Sequence, residues 1–223
     1  MDNFLKDNER LDDLQINNLF LIQDPKGYCF TSDAVKLANF VKCKSGGVVV
    51  DLCSGSGVIG ILLTAKHNLK KVFLVELQDR LANMSLRSVK LNKLDDLVEV
   101  INKPLQNIHK DLKDCCVDCV VCNPPYKKKN TVKLINDSEE ISIARHEITV
   151  ELEEIVKEAS LLLKFGGRFY CVLKEERLIE LINYCSNYGI EVKRIKIIKS
   201  TKGANGVMIE GVKGGKSGCV VEI

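Results

Sequence analysis

The sequence predicts an α/β fold built on a doubly wound, mixed β-sheet. From about residue 47 onward, short apolar runs alternate with amphipathic stretches, a pattern typical of parallel strands joined by crossover helices. The alternation changes near residue 190. There, residues 190–198 and 206–212 have the pattern of two strands, and the short segment between them leaves no room for a crossover helix. Such a short connection requires an antiparallel hairpin, so the sheet is predicted to be mixed.

Each element of this sheet follows from its own pattern. Apolar runs bounded by turn or charged residues predict strands at 48–52, 72–76, 98–101, 117–122 and 169–173. Apolar stripes with helical spacing predict a helix after Gly57 and further helices at about 79–91, 152–163 and 178–185. Gly166-Gly167 is expected to end the helix that begins near residue 152. Residues 1–40 are expected to be an extension that packs on a core domain over 41–223.

The composition is that of a soluble globular protein. The 223 residues are 28% charged and 45% apolar, with a formal net charge of +3, and they suffice to bury a real core. No apolar run reaches the roughly 18 residues of a membrane span. The N-terminus lacks the basic and apolar regions of a secretion signal. We therefore expect a cytoplasmic protein.

The ten cysteines invite a metal-site interpretation, which their positions disfavour. Cys116, Cys119 and Cys122 form two overlapping C-x-x-C spacings, and Cys115 lies beside them. On a strand, side chains three residues apart point to opposite faces of the sheet. They could not share one tetrahedral site, so we predict free, mostly buried thiols and no metal.

Basic residues cluster at two places in the sequence. One cluster directly follows the strand at 117–122 and comprises Lys127, Lys128, Lys129 and Lys133. The other lies within residues 190–203, where Glu191 is accompanied by Lys193, Arg194, Lys196, Lys199 and Lys202. A phosphate-rich partner would suit such clusters, and a solvated lysine-rich surface is the alternative.

A glycine-rich turn follows the first core strand. Asp51 lies near the end of that strand, and Gly55 and Gly57 allow the backbone to approach a ligand at the start of a helix. Glu76 ends the next strand, where an acid can accept hydrogen bonds from both hydroxyls of a ribose. Gly55, Gly57 and Gly60 have the G-x-G-x-x-G spacing of the dinucleotide fingerprint, so the pattern predicts a ribose-bearing cofactor, and the resemblance described below favours one other than NAD.

The tetrapeptide Asn123-Pro124-Pro125-Tyr126 follows the strand at 117–122. In an open α/β sheet, ligands bind at the carboxyl ends of the strands. An amide oxygen, a carbonyl held between prolines and an aromatic ring can together hold a flat group that bears an NH2. A proline-rich turn that only caps a strand is the alternative without function.

These motifs together resemble class I S-adenosylmethionine-dependent methyltransferases that modify amino groups. The chain is similar in particular to the bacterial tRNA(Val) adenine-N6-methyltransferase-like family. The resemblance extends from about Arg10 to Lys216 and includes Tyr28–Ala34, Leu37–Phe40, Asp51–Gly57, Glu76, Asn123–Tyr126, Ile143–Glu147 and Ile209–Lys216. It implies a Rossmann-like sheet of seven strands, the last antiparallel.

The resemblance also implies roles for individual residues. The turn from Asp51 to Gly57 would contact the methionine part of S-adenosylmethionine, Glu76 its ribose, and Phe30 to Asp33 would close the site. The implied cofactor-binding residues are Phe30, Thr31, Asp33, Asp51, Cys53, Gly55, Gly57, Glu76, Asn102 and Asn123. Pro104 stands where the family usually has an acid that reads the adenine amino group, and either Asn102 or a backbone carbonyl would have to replace that acid.

The expected reaction is N6-methylation of an adenosine in tRNA, by resemblance the one just 3′ of the anticodon of a valine tRNA. Asn123 and Pro124 would hold the amino group, Pro125 would stiffen the turn, and Tyr126 would stack on the base. The expected phosphate contacts are Lys127, Lys128, Lys129 and Arg145.

Three other functions fit parts of the sequence. A protein glutamine N5-methyltransferase would hold a similar planar NH2, although such enzymes generally carry a sizeable N-terminal helical domain. The N-terminal and C-terminal motifs disfavour an rRNA guanine-N2-methyltransferase. A catalytically silent RNA-binding relative would also keep this fold, and a cofactor-binding assay would distinguish it from an enzyme.

Overall fold

The fold centres on an eight-stranded mixed sheet. The computed structural model describes residues 4–27, 29–112, 117–124, 150–199 and 205–222. The strands of the described residues are β1 (Arg10–Asp13), β2 (Phe20–Gln23), β3 (Gly47–Leu52), β4 (Leu69–Glu76), β5 (Val98–Asn102), β6 (Val117–Cys122), β7 (Leu163–Lys174), β8 (Ile190–Ile198), β9 (Gly206–Lys213) and β10 (Val220–Glu222). The order in the large sheet is β10-β8-β9-β7-β6-β3-β4-β5, and β1 pairs only with β2.

The sheet confirms the predicted topology. Neighbours from β5 to β7 pair in parallel, whereas β9 runs antiparallel to both β7 and β8. The prediction of seven strands was one short, because β10 adds a parallel edge strand beside β8. Its three residues are too few for a periodic pattern, and Val220 and Val221 remain 63% and 59% exposed.

The helices cover both faces of the sheet, as a doubly wound fold requires. They are α1 (Ser32–Phe40), α2 (Val58–Lys66), α3 (Asp79–Leu91), α4 (Ile108–Asp111), α5 (Leu152–Leu162) and α6 (Leu178–Asn187). Buried residues of α4, α5 and α6 share one apolar cluster with the strands, and those of α1 and α2 share a second cluster on the other face. None of the helices in the described part of the chain is long and apolar enough to cross a membrane.

The predicted end of the helix near residue 166 was wrong. Helix α5 ends at Leu162, and Leu163 already pairs with Val117 of β6. Gly166 has a φ of +79°, and a Cβ on Gly167 would lie 2.8 Å from the Lys164 carbonyl oxygen. The two glycines therefore serve a tight bend within β7 rather than a helix C-terminus.

The cysteines of β6 point to opposite faces of the sheet, as predicted. Cys119 belongs to the apolar cluster on the α1–α2 face, and Cys122 belongs to the cluster on the other face. Burial raises the pKa of both thiols. The described cysteines are free, and the described residues include no group of three or more potential metal ligands. Cys115 and Cys116 lie outside the described residues.

The N-terminal hairpin of β1 and β2 lies against α3. The Asn92 amide holds both the N–H and the carbonyl of Phe20, at 2.9 and 2.7 Å, and Ser88 Oγ accepts the N–H of Ile22 at 3.0 Å. Side chains at the end of α3 thus satisfy an edge of β2 that has no strand beside it. The division of the chain at residue 40 stays a prediction.

Candidate functional site

The candidate site lies where the sheet changes its winding direction. Strands β3, β4 and β5 follow one another to one side, and the chain then returns to place β6 on the other side of β3. The carboxyl ends of β3 and β6 therefore border the topological switch point, where open α/β sheets bind ligands. Leu52 pairs with Cys122, so the glycine turn and Asn123 leave adjacent strands, about 5 Å apart, at this edge.

The glycine turn is tightly built. The N–H of Ser54 donates to the Val75 carbonyl at 3.0 Å, and the N–H of Gly57 donates to the Ser54 carbonyl at 2.8 Å. Cys53, Gly55 and Gly57 all have positive φ, at +58°, +58° and +86°. A Cβ on Gly57 would lie 2.5 Å from Ser85 Oγ, so this glycine is needed for close packing as well as for its backbone conformation.

Glu76 holds the turn from the neighbouring strand. Its carboxylate accepts the N–H of Gly55 at 2.8 Å and the N–H of Gln78 at 2.9 Å, one on each oxygen. The side chain is buried, and burial raises the pKa of Glu76 although both backbone bonds lower it. Each carboxylate oxygen has a further lone pair, so the group can still accept a ligand hydroxyl.

Asp51 lies beneath the start of α2 and is fully buried. Its Oδ2 accepts the N–H of Gly60 at 3.0 Å, in the first turn of that helix. Desolvation by burial, opposed by the Gly60 hydrogen bond and assisted by the nearby Glu76 carboxylate, raises the pKa of Asp51 to about 8. Two neighbouring buried acids therefore support the turn: Asp51 accepts one backbone N–H, and Glu76 accepts two.

Unpartnered polar atoms also surround the turn. Within the described residues, Asp51 Oδ1, Ser54 Oγ and Ser85 Oγ are buried without a hydrogen-bond partner. Buried polar atoms normally find partners, so these three suit a site that completes its hydrogen bonds with a polar ligand. A nucleoside that carries an amino-acid group offers the hydroxyls and charged groups that such a donor and acceptor set can bind.

Asn102 and Asn123 extend the site to either side. Asn102 pairs in register with Glu76, and its Nδ2 donates to the carbonyls of Glu76 and Leu77, both at 3.0 Å. Asn102 therefore holds the chain just after β4. Its side chain is exposed, and its role in cofactor binding stays a prediction. On the other side of the turn, Asn123 is half-buried and Pro124 is buried.

The predicted closing segment precedes α1. Phe30 packs partly buried against the apolar cluster of the α1–α2 face. Thr31 is exposed at the start of α1, and Asp33 lies in the first turn within 3.6 Å of Lys36. The structure links this segment to the turn through Gln23, which the sequence analysis missed: a single glutamine carries no signal when its partners are distant in sequence.

Several predicted residues lie outside the described residues: Pro125, Tyr126, Lys127, Lys128, Lys129, Lys133, Arg145 and Lys202. In the second basic cluster, Arg194 binds Glu210 at 2.8 Å and stacks over the Phe40 ring at 3.8 Å. Lys196 lies within 3.6 Å of Glu222. Because Glu210 and Phe40 already engage the Arg194 guanidinium, this side chain is poorly placed to bind a phosphate.

Comparisons with known proteins agree with this architecture. A family model described as the methyltransferase small domain matches residues 34–182, more than half of the chain. A tRNA1(Val) (adenine(37)-N6)-methyltransferase of Shewanella frigidimarina is 25% identical over 186 residues, covering 80% of this chain and 72% of the relative. The enzyme of the same name from Photobacterium profundum is 22% identical over 178 residues, covering 79% and 73%.

Solved structures show the same fold. A tRNA m1G37 methyltransferase of M. jannaschii superposes with a TM-score of 0.64 at 16% identity, covering 94% of this chain and 58% of that one. A predicted O-methyltransferase of Agrobacterium tumefaciens gives 0.61 at 18% identity and covers 84% of each chain. The predicted class I methyltransferase fold is thereby confirmed, and the chain belongs to the methyltransferase small domain family.

Proposed function

We propose that this protein transfers the methyl group of S-adenosylmethionine to N6 of an adenosine in tRNA, the one just 3′ of the anticodon of a valine tRNA. The observation that carries the proposal is the arrangement at the switch point: Asn123 leaves β6 directly beside the glycine turn of β3, and Glu76 ends the next strand. The relatives named above act on this adenine by name, which supports the choice of substrate.

The residues around the turn fit the cofactor. S-adenosylmethionine supplies an electrophilic methyl group on a sulfonium and offers two ribose hydroxyls. Glu76 would accept those hydroxyls through its remaining lone pairs, and Asp51, Cys53, Gly55 and Gly57 would line the amino-acid end. Phe30, Thr31 and Asp33 would close the site from the side of α1, with Asn102 beside the ribose.

The tetrapeptide supplies what the amino group needs. The N6 lone pair of adenine is delocalised into the ring, which makes the nitrogen a poor nucleophile. Acceptance of both N–H bonds by the Asn123 side-chain oxygen and the Pro124 carbonyl favours positive charge on nitrogen as the new bond forms. The same bonds fix the direction of attack, and such positioning contributes several kcal/mol. Pro125 would stiffen the turn, and Tyr126 would stack on the base.

Recognition of tRNA would use the residues after this turn. Lys127, Lys128, Lys129 and Arg145 are the proposed phosphate contacts, which makes binding depend strongly on salt. Cations that follow the tetrapeptide in sequence would hold the anticodon arm while the target base is turned out.

Nucleoside mapping by mass spectrometry tests the proposal in cells. We expect tRNA from cells that lack this protein to lose N6-methyladenosine at one site, and a plasmid copy to restore it. An Asn123→Ala copy should fail to restore it, because this variant lacks the amide proposed to hold the amino group but keeps the glycine turn and Glu76 for the cofactor. An unchanged modification profile would contradict the proposal, and cofactor binding without any loss of modification would identify a silent relative.

A further inference from the structure

Gln23 connects two parts of the proposed cofactor site that are distant in sequence. The residue ends β2, and its side chain is fully buried. Its Nε2 donates to Ser56 Oγ at 2.7 Å and to the Ile22 carbonyl at 2.9 Å, and its Oε1 accepts the N–H of Phe30 at 2.9 Å. Ser56 is the residue between the two glycines of the turn, and Phe30 begins the closing segment.

The partners fix the orientation of this amide. The Phe30 N–H can only donate and the Ile22 carbonyl can only accept, so the oxygen and nitrogen of Gln23 cannot exchange places. Glutamate could not donate to Ile22, and an apolar side chain would leave polar groups buried without partners. Among the uncharged side chains, an amide of this length satisfies all three groups at once.

The wider contacts of the hairpin give this amide a fixed base. Ser88 and Asn92 anchor β2 to α3 at Ile22 and Phe20. The Arg80 guanidinium binds Asp24, the residue after Gln23, at 2.5 Å. Gln23 is therefore held from its own side by several contacts at once, so the loss of any one of them should leave its hydrogen bonds to Ser56 and Phe30 in place.

We propose that Gln23 is a positioning residue that sets the distance between the closing segment, Phe30 to Asp33, and the glycine turn. The inference rests on the proposed function for the identity of the ligand, because both segments are taken to contact S-adenosylmethionine. It goes beyond that function by assigning preorganisation of the site to a residue of the N-terminal hairpin, 33 positions before its partner in the turn.

The test compares Gln23→Met with Asn92→Ala. Each substitution removes a side chain that makes three hydrogen bonds around β2, and only the first reaches the turn and Phe30. In calorimetric titration, the Kd of Gln23→Met for S-adenosylmethionine should be at least about tenfold higher than that of the wild type, which corresponds to ~1.4 kcal/mol. For Asn92→Ala we expect a change of less than about twofold. Equal weakening in both variants, or wild-type binding by Gln23→Met, would overturn the inference.

Hydrogen exchange without ligand separates this inference from the proposed function. In Gln23→Met, amides of residues 29–33 and 54–58 should exchange faster, because the Phe30 N–H and the turn lose their common partner. In Asn92→Ala, these amides should exchange as in the wild type. If the wild type binds no S-adenosylmethionine, the proposed function fails, and the exchange pattern alone decides whether Gln23 couples the two segments.

Ser56→Ala keeps the test decisive if Gln23→Met does not fold. This variant removes only the bond between Gln23 and the turn, so we expect weaker cofactor binding with the Phe30 amide still protected. Where both single variants fold, the loss of affinity in the double variant should be smaller than the sum of the two single losses, since both break the same connection. Unaltered cofactor affinity in Ser56→Ala, or fully additive losses, would contradict the proposal.

Discussion

Replacement of Glu76 by glutamine separates the two tasks assigned to this acid. The carboxylate accepts one backbone N–H on each oxygen, from Gly55 at 2.8 Å and from Gln78 at 2.9 Å. Glutamine has nearly the same shape and keeps one acceptor oxygen. Its NH2 group would face the other backbone N–H, so one buried donor loses its partner.

The structure sets the size of both effects. An unsatisfied buried donor costs about 1–3 kcal/mol, and a domain of this size loses about 2–4 °C in Tm per kcal/mol, so Tm should fall by about 2–12 °C. If ribose hydroxyls also bind this carboxylate, loss of its charge should cost a further ~1–2 kcal/mol, or about 5–30-fold in cofactor Kd.

Thermal unfolding and calorimetric titration with S-adenosylmethionine measure these quantities on one preparation. Glu99→Gln is the matched control: Glu99 lies on the adjacent β5, is 53% exposed and pairs only loosely with Lys71, at 3.4 Å. Its loss should change both values little. A lower Tm with unchanged cofactor Kd in Glu76→Gln would show that the acid serves only the turn, which would refute the ribose assignment.

Two further perturbations test the interior of the site. The pKa of Asp51 is raised to about 8 in the folded protein from about 4 in the unfolded chain. Between these two pH values the folded state holds a proton that the unfolded chain has lost. The free energy of unfolding should therefore fall as pH rises from about 4 to about 8. Asp51→Asn should flatten this slope in denaturant titrations, and parallel profiles would contradict the assigned shift. Gly57→Ala should destabilise the protein by about 1–3 kcal/mol because of its positive φ, and by more because the new Cβ would meet Ser85. Gly46 has a similar φ but open space around it, so Gly46→Ala should show only the cost of the positive φ. Equal losses of stability in chemical denaturation would show that the contact with Ser85 costs little.

Much of the sheet could be predicted because buried parallel strands are continuous apolar runs. The bounds predicted for β6, 117–122, match the structure, and the opposite faces of Cys119 and Cys122 followed from the two-residue period. The positions of Asp51 and Glu76 at adjacent strand ends followed from the same rule. Local patterns suffice where burial dictates residue type.

The remainder depends on contacts between distant residues. The strands β1 and β2 are four residues long, and one edge of β2 is satisfied by Ser88 and Asn92 rather than by another strand. Gln23 gains its importance only from Ser56 and Phe30. The pattern of the second basic cluster also gave no sign that Arg194 would be bound by Glu210 and Phe40. Tertiary partners decide these cases.

The central claim is that Asn123 holds the target amino group beside the methyl donor. Transfer of a labelled methyl group to an unmodified valine tRNA transcript by purified protein measures this directly. We predict label on N6 of the adenosine 3′ of the anticodon, a rate at least about 100-fold lower for Asn123→Ala, or ~2.7 kcal/mol, and cofactor binding that is largely retained through Glu76 and the glycine turn. A fully active Asn123→Ala variant, or label on another base, would contradict the account.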